Sequence, residues 1–236
     1  RSAGMNGAGA ALVGNAGAVF SNPAGIATIR HIAIEGAYRA TPAGGKLHAG
    51  ALAWRMRQFD LGFGVARHKY GTDPSSSPLP GVPVDAEAAE LAGIGSLIYR
   101  FGMIALGGSG KYVQRTIDDS RETAFSADAG FAIAVFDIMA IGFSRQNIAG
   151  NWAGESAVEL RGVTRLATMW NYVDPLESYR LLSTVELQWP EGNDFRVVLG
   201  AEGGIVVGGV GLLGRAANVS VPSESYHSHM SYGGSV

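Results

Sequence analysis

Four patterns carry residue types at spacings that do known chemistry. GVGLLG, Gly209 to Gly214, spells the glycine-rich turn that seats a dinucleotide pyrophosphate on a helix. That use needs a helix to follow and an acidic residue about 20 positions on. RAANVSVPS follows instead, with β-branched residues and a proline. GGSGKY, Gly107 to Tyr112, resembles a phosphate-binding loop, but Ala105 replaces the upstream glycine and Tyr112 the hydroxyl that would reach magnesium. His227 and His229 fall on one side of a strand, where they would share a metal, yet no third ligand lies nearby. Serine, histidine and acidic residues are all present, but nothing marks a nucleophile elbow. The chain has no cysteine, which removes disulfides and thiolate chemistry. No enzyme, cofactor or metal site is expected.

Composition points elsewhere. Among 236 residues 35 are glycine and only 16% are charged, against roughly 25% in an ordinary soluble domain. The net charge of −2 creates no basic field for nucleic acid. Few charges and many glycines fit a surface that does not all face water. No apolar run is long enough for a membrane-spanning helix.

After Thr28 the dominant period is two. Ile32, Ile34, Gly36 and Tyr38 share one face, opposed by His31, Glu35 and Arg39. Phe59, Leu61, Phe63 and Val65 oppose Asp60, Gly62, Gly64 and Ala66; Tyr179, Leu181, Val185, Leu187 and Trp189 oppose Arg180, Thr184, Glu186 and Gln188. Val158, Leu160, Leu166 and Trp170 oppose Glu159, Arg161 and Arg165. Such alternation predicts strands with one apolar and one polar face. About twelve are expected, over 29–40, 46–57, 59–70, 91–101, 103–115, 122–136, 138–146, 156–170, 178–189, 194–203, 205–215 and 225–235, most near the length a tilted strand needs to cross a bilayer.

The connections alternate between long and short. DPSSSPLPGVPVDAEAAE, TIDDSR, NIAGNWAGE and AANVSVPSE are expected as the long ones. Gly102, Asp137 and a turn at Gly203-Gly204 are expected as the short ones, while NYVDPLE and PEGN break the rule. Long loops at one end and tight turns at the other are a habit of outer-membrane barrels. Aromatic residues near strand ends, namely Tyr38, Trp54, Phe59, Tyr70, Phe101, Phe136, Trp170, Tyr179 and Trp189, fit girdles at headgroup depth. They are also good strand formers in any sheet.

Hydrocarbon leaves no partner for an open strand edge, so spanning strands close into a ring. Polar residues then face the lumen: His31, Glu35, Arg39, Glu159, Arg161, Arg165, Arg180, Glu186, Arg196 and Glu202. The other reading of the same set is the solvated face of a soluble barrel or sandwich. The expected fold class is all-β, an antiparallel transmembrane β-barrel of about 12–14 strands with a short N-terminal plug inside the lumen.

The segment RSAGMNGAGAALVGNAGAVFSNPAGIA, Arg1 to Ala27, resembles the N-terminal signature of the FadL/PorV group of outer-membrane barrels, a small-residue leader of the form "GMGGA…A…NPAG" before the first strand. The matching positions are Gly4-Met5, Gly7-Ala8, Ala18 and Asn22-Pro23-Ala24-Gly25. GAEGGIVVGGVGLLGRAA and SHMSYGGSV are similar to the late-hairpin pattern of PorV-type members. Together the motifs cover about a quarter of the chain.

The resemblance implies a 14-stranded barrel plugged by residues 1–28, with 29–236 forming the wall. Asn22, Pro23, Ala24 and Gly25 would make the plug's fixed turn, and residues 8–20 a short helix. Leu12, Val13, Val19, Phe20 and Ile26 would touch a hydrophobic ligand. Twelve strands and an end at SYGGSV depart from the pattern, so a missing closing hairpin is expected. The implied location is the bacterial outer membrane, with its lipid as one partner. The implied activity is transport, leaning to a PorV-like accessory of type IX protein secretion that meets a secretion-system protein. The alternative is a FadL-like uptake channel for a hydrophobic small molecule such as a fatty acid. The Asp73–Pro83 loop is a candidate docking element, or simply a solvated loop.

Overall fold

The computed structural model describes residues 9–40, 44–70, 88–135, 138–153, 160–172, 179–207, 210–221 and 229–235. It is all-β. Twelve strands run in chain order through one antiparallel sheet: β1 Ile32–Ala40, β2 Lys46–Met56, β3 Phe59–Lys69, β4 Ala88–Phe101, β5 Ile104–Ile117, β6 Ser120–Val135, β7 Met139–Ala153, β8 Val163–Asn171, β9 Tyr179–Pro190, β10 Arg196–Val207, β11 Val210–Ser220 and β12 His229–Ser235. Each strand pairs with its neighbours in sequence, and among the described residues β1 and β12 each have one partner.

Ahead of β1, the described residues 9–20 do not form the helix expected over 8–20. Gly14 takes φ +80° and Asn15 is extended, which breaks any regular helix there. Two short 3₁₀ turns form instead, Ala16–Phe20 and Pro23–Thr28.

This segment reveals the curvature of the sheet. The Ala16 amide donates to Glu35 on β1 at 3.0 Å, and the Ala10 amide to Glu186 on β9 at 2.9 Å. On a flat sheet those strands would stand about 38 Å apart. The stretch from Ala10 to Ala16 reaches at most about 20 Å. The sheet therefore curls around the segment, which lies on its concave face. One buried cluster joins Val19, Ala24 and Ile26 to β2, β4, β5 and β6; another joins Ala10, Ala11 and Leu12 to β7 through β11.

Several boundaries differ from the sequence reading. TIDDSR is not a long loop: β5 and β6 meet in a tight turn at Asp118-Asp119, with Asp118 at φ +48°. Gly203 and Gly204 make no turn but lie inside β10, opposite Gly214 and Leu213. NIAGNWAGE is strand as far as Ala153, and AANVSVPSE as far as Ser220. β8 begins only at Val163, because Gly162 is held by the neighbouring turn: its amide donates to Glu191 at 2.9 Å and its carbonyl accepts from the Glu191 amide at 2.8 Å. Ile29 to His31 precede β1, with the Ile29 amide bonded back to Ile26. The connections still alternate between longer and shorter, except at 118–119 and 172–178. The loop at 73–83 and Phe136 lie outside the described residues.

Candidate functional site: the concave face and its N-terminal insert

The faces of the sheet invert the usual polarity. Outward lie Ile34 (78% exposed), Phe125 (70%), Val65 (57%) and Phe63 (50%). Inward lie Glu186, Asp60 and Ser144 at 0% and Glu202 at 1%. Every acidic residue on a described strand has the inward parity. Five of the inward carboxylates, Asp60, Glu90, Asp128, Glu186 and Glu202, are paired with a cation on a neighbouring strand. Asp60 meets Arg100 at 2.7 Å, Glu202 meets Arg215 at 2.6 Å, and Glu90 meets Arg115 at 2.7 Å. Lys111 bonds both Asp128 (3.1 Å) and Asn147 (2.9 Å). Asn147 has φ +56° and lies where the β6–β7 register shifts, so a bulge aims its side chain at Lys111.

The insert is anchored by its backbone. Glu186 Oε2 accepts from the Gly9 and Ala10 amides at 2.8 and 2.9 Å, while its Oε1 accepts from Gln188 at 2.7 Å and Arg165 at 3.2 Å. Ser144 donates to the Ser21 carbonyl at 2.9 Å and Gln146 to the Phe20 carbonyl at 2.9 Å. Asn22 is fully buried. Its Oδ1 accepts from the Ala24 amide at 3.0 Å, closing an Asx turn, and its Nδ2 donates to Ala10 (2.7 Å) and to Phe131 on β6 (3.1 Å). Pro23 opens the second 3₁₀ turn, and the Gly25 amide closes back on Asn22 at 2.9 Å. A Cβ on Gly25 would sit 2.7 Å from the Leu12 carbonyl. The small residues of the leader are thus spacing requirements of a chain packed against a wall.

The apolar residues of the insert divide. Leu12, Val19 and Ile26 are enclosed by the protein's own side chains. Phe20 and Val13 are half-buried and each lines a cavity. Phe20 shares one of about 250 Å³ with Glu35, Ala37, Leu47 and Ala51; Val13 shares one of about 270 Å³ with Arg55, Arg100 and Met103.

The charged residues expected inside divide as well. Glu35, Arg165, Glu186 and Glu202 face the concave side and are bonded there. His31 and Arg39 are exposed, His31 because it precedes the strand. Arg161 is exposed in the connection ahead of β8, where its carbonyl accepts from Asn147. Arg196 is half-buried at the start of β10. Arg180 lies on β9 opposite Gly204, its side chain outside the description, and Glu159 lies outside the described residues.

Leu160 departs from its expected apolar outer face and packs inward with Val113 and Ala124. Tyr70, expected in an outer girdle, turns inward and donates to Glu90 at 2.9 Å. Burial, and then the Glu90 carboxylate, push its ionisation well above the ordinary 10.0, so the hydroxyl remains a donor. Trp54, Phe59, Phe101 and Tyr179 at one rim and Tyr38 and Trp189 at the other are exposed on the outer face. The pairs through Arg100, Lys111, Arg115 and Arg215 were not singled out in the sequence. Their parity was readable, but their partners were not.

Gly107–Tyr112 lies within β5, its lysine committed to Asp128 and Asn147, and strand rather than helix carries Val210 to Gly214 of GVGLLG. His229 opens β12, and His227 lies outside the described residues. Among the described residues no three histidine or acidic side chains cluster for a metal.

One titration is readable at the loop rim. Glu191 is held below the ordinary 4.5, first by its hydrogen bond from Arg145 and then by the Gly162 amide. A depressed carboxylate contributes stability above its unfolded pKa and loses it as pH falls through the lowered folded value. The 162–191 contact is therefore expected to persist at neutral pH and to open only below the ordinary carboxylate range. Arg145→Gln should move the Glu191 midpoint upward, read by carboxyl-carbon NMR; an unmoved midpoint would remove Arg145 as the cause.

The fold and the site together define an all-β protein of one curved antiparallel sheet with an apolar convex face and a polar, filled concave face. No protein-family model matches the chain, and no curated protein matches it.

Proposed function

We propose that this chain is a transmembrane β-barrel of the bacterial outer membrane, of the FadL/PorV type, with residues 1–28 as its plug and 29–236 as its wall. The supporting observation is the inversion of polarity: isoleucine, phenylalanine and valine cover the convex face while glutamate and aspartate are sealed within. Water would oppose that arrangement; a bilayer around it and hydrogen-bonded pairs within it favour it. Lipid also demands that the outer edges of β1 and β12 be satisfied, by each other or by further strands.

The preferred role is transport across that membrane as a PorV-like accessory of type IX protein secretion, without catalysis. Two observations support it: the likeness of the leader and late hairpins to PorV-type members, and a concave space occupied by the insert. Such a protein works through its rim loops and a secretion-system partner. The test is one preparation with two readouts. Purified protein should float with lipid vesicles and shift in gel mobility on heating. Deleting residues 74–84 should weaken capture of a secretion-system partner while leaving that shift intact. Solubility without detergent and no heat shift would return the chain to a soluble β-sandwich binding module.

A second reading is a FadL-like uptake channel for hydrophobic small molecules, favoured by the Phe20 cavity. In the same preparation it requires Phe20→Asp to abolish fatty-acid binding, and unchanged binding would remove it.

A further inference from the structure

The convex face changes character abruptly at one place. On β2 its outward residues run Met56, Trp54, Leu52 and Gly50, then His48 and Lys46. On β3 they run Phe59, Leu61, Phe63 and Val65, then Arg67 and Lys69. The register sets His48 opposite Arg67 and Lys46 opposite Lys69, and all four side chains are exposed. Like charges directly opposite each other destabilise a sheet. No acidic residue lies on the outward face of any described strand, and among the described residues neither Lys46 nor Arg67 meets a carboxylate. Arg145, also outward, differs in having Glu191.

The height of this patch identifies its counter-charge. The 11 residues of β3 extend about 34 Å, or about 25 Å along a membrane normal at the usual tilt of spanning strands. That is the height of the apolar band of such barrels. With Phe59 at the far aromatic rim, Lys69 arrives at the opposite headgroup layer and Arg67 about 5 Å short of it, within reach of its long side chain.

Resting on the membrane-spanning reading, we infer that Lys46, His48 and Arg67 bind the phosphate of an anionic lipid headgroup. The acyl chains of that lipid lie along Leu52, Phe63 and Val65. The occupant is a phosphorylated lipid because one surface offers cations and grease in vertical sequence, and a free anion would use only the first.

The full chain is placed in phosphatidylcholine nanodiscs with and without phosphatidylglycerol, and the lipid retained on ejection is counted by native mass spectrometry. Phosphatidylglycerol should be retained preferentially. Lys46→Gln and Arg67→Gln should each lower that preference about fivefold. Arg121→Gln, outward on β6 opposite the uncharged Thr116, should leave it unchanged. Glycerol 3-phosphate should not displace the lipid. Equal retention of both lipids by the inserted wild-type chain, or a preference untouched by the two variants, would overturn the inference and leave the barrel standing. Displacement by glycerol phosphate would make the patch a simple anion site and overturn it too. Failure to insert into either bilayer would sink the barrel reading and the lipid site together.

Discussion

Replacing Glu186 with alanine should free the N-terminal insert and cost about 3–5 kcal/mol of stability, the usual loss when one partner of a buried charge network is removed. The carboxylate is fully buried and accepts from the Gly9 and Ala10 amides, Gln188 and Arg165. Its removal strands two buried backbone donors and takes one partner from a guanidinium that is 18% exposed. Glu186→Gln retains one accepting oxygen and should recover part of the loss. Urea unfolding of the protein reports the stability. Hydrogen exchange reports the cause: the Gly9 and Ala10 amides should lose protection before the strands do. If both amides stayed protected in Glu186→Ala, the carboxylate would not be what anchors the insert.

The second large effect is a contrast between adjacent glycines. Gly107 and Gly108 on β5 point to opposite faces. A Cβ at Gly107 would sit 2.7 Å from the Ala24 amide nitrogen and 2.9 Å from the Pro23 carbonyl carbon, whereas at Gly108 it would meet nothing within 4 Å. Backbone on the insert cannot rotate away as a side chain would. Gly107→Ala should therefore destabilise by about 2–3 kcal/mol, in the upper range for overpacking, or displace the insert. Gly108→Ala should change stability by less than about 1 kcal/mol, in the favourable direction, since alanine loses less entropy in a strand. The two variants share composition and strand, so a difference isolates contact with the insert. Equal midpoints in urea would mean that the Pro23 turn does not press on this wall. Gly142, against the Ala10 carbonyl, and Gly130, against Asn22, extend the same test to β7 and β6.

Both experiments bear on the proposed role. In the proposed barrel, removing the Glu186 anchor should open the bore measurably. An effect on small-molecule passage would favour uptake, whereas an effect confined to partner capture would favour secretion. The basic patch on β2 and β3 is separate from the insert and bears only on the inferred lipid contact.

Much of the wall was legible in the chain itself. Alternation is a local property: Phe63 and Val65 outward, Asp60 and Gly64 inward follow from the pleat alone, whatever the partner strand. The Asn22-Pro23-Ala24-Gly25 turn was equally local, since Pro23 presets its own φ and Asn22 binds its own backbone. Strand ends were less legible. Whether Gly203 and Gly204 turn or continue depends on Leu213 and Gly214 across the ladder, and Gly162 leaves the strand only because Glu191 holds it from another turn.

Only the tertiary structure decided which carboxylates matter. Glu35 and Glu186 lie far apart in sequence, and only the curl of the sheet brings both within reach of one short segment. Arg100 and Asp60, or Lys111 and Asp128 beside the bulge at Asn147, have no pairing signal in their spacing. The alternating pattern states which side a residue faces, but curvature sums small twists over twelve strands, and that sum is written in no single stretch of the chain.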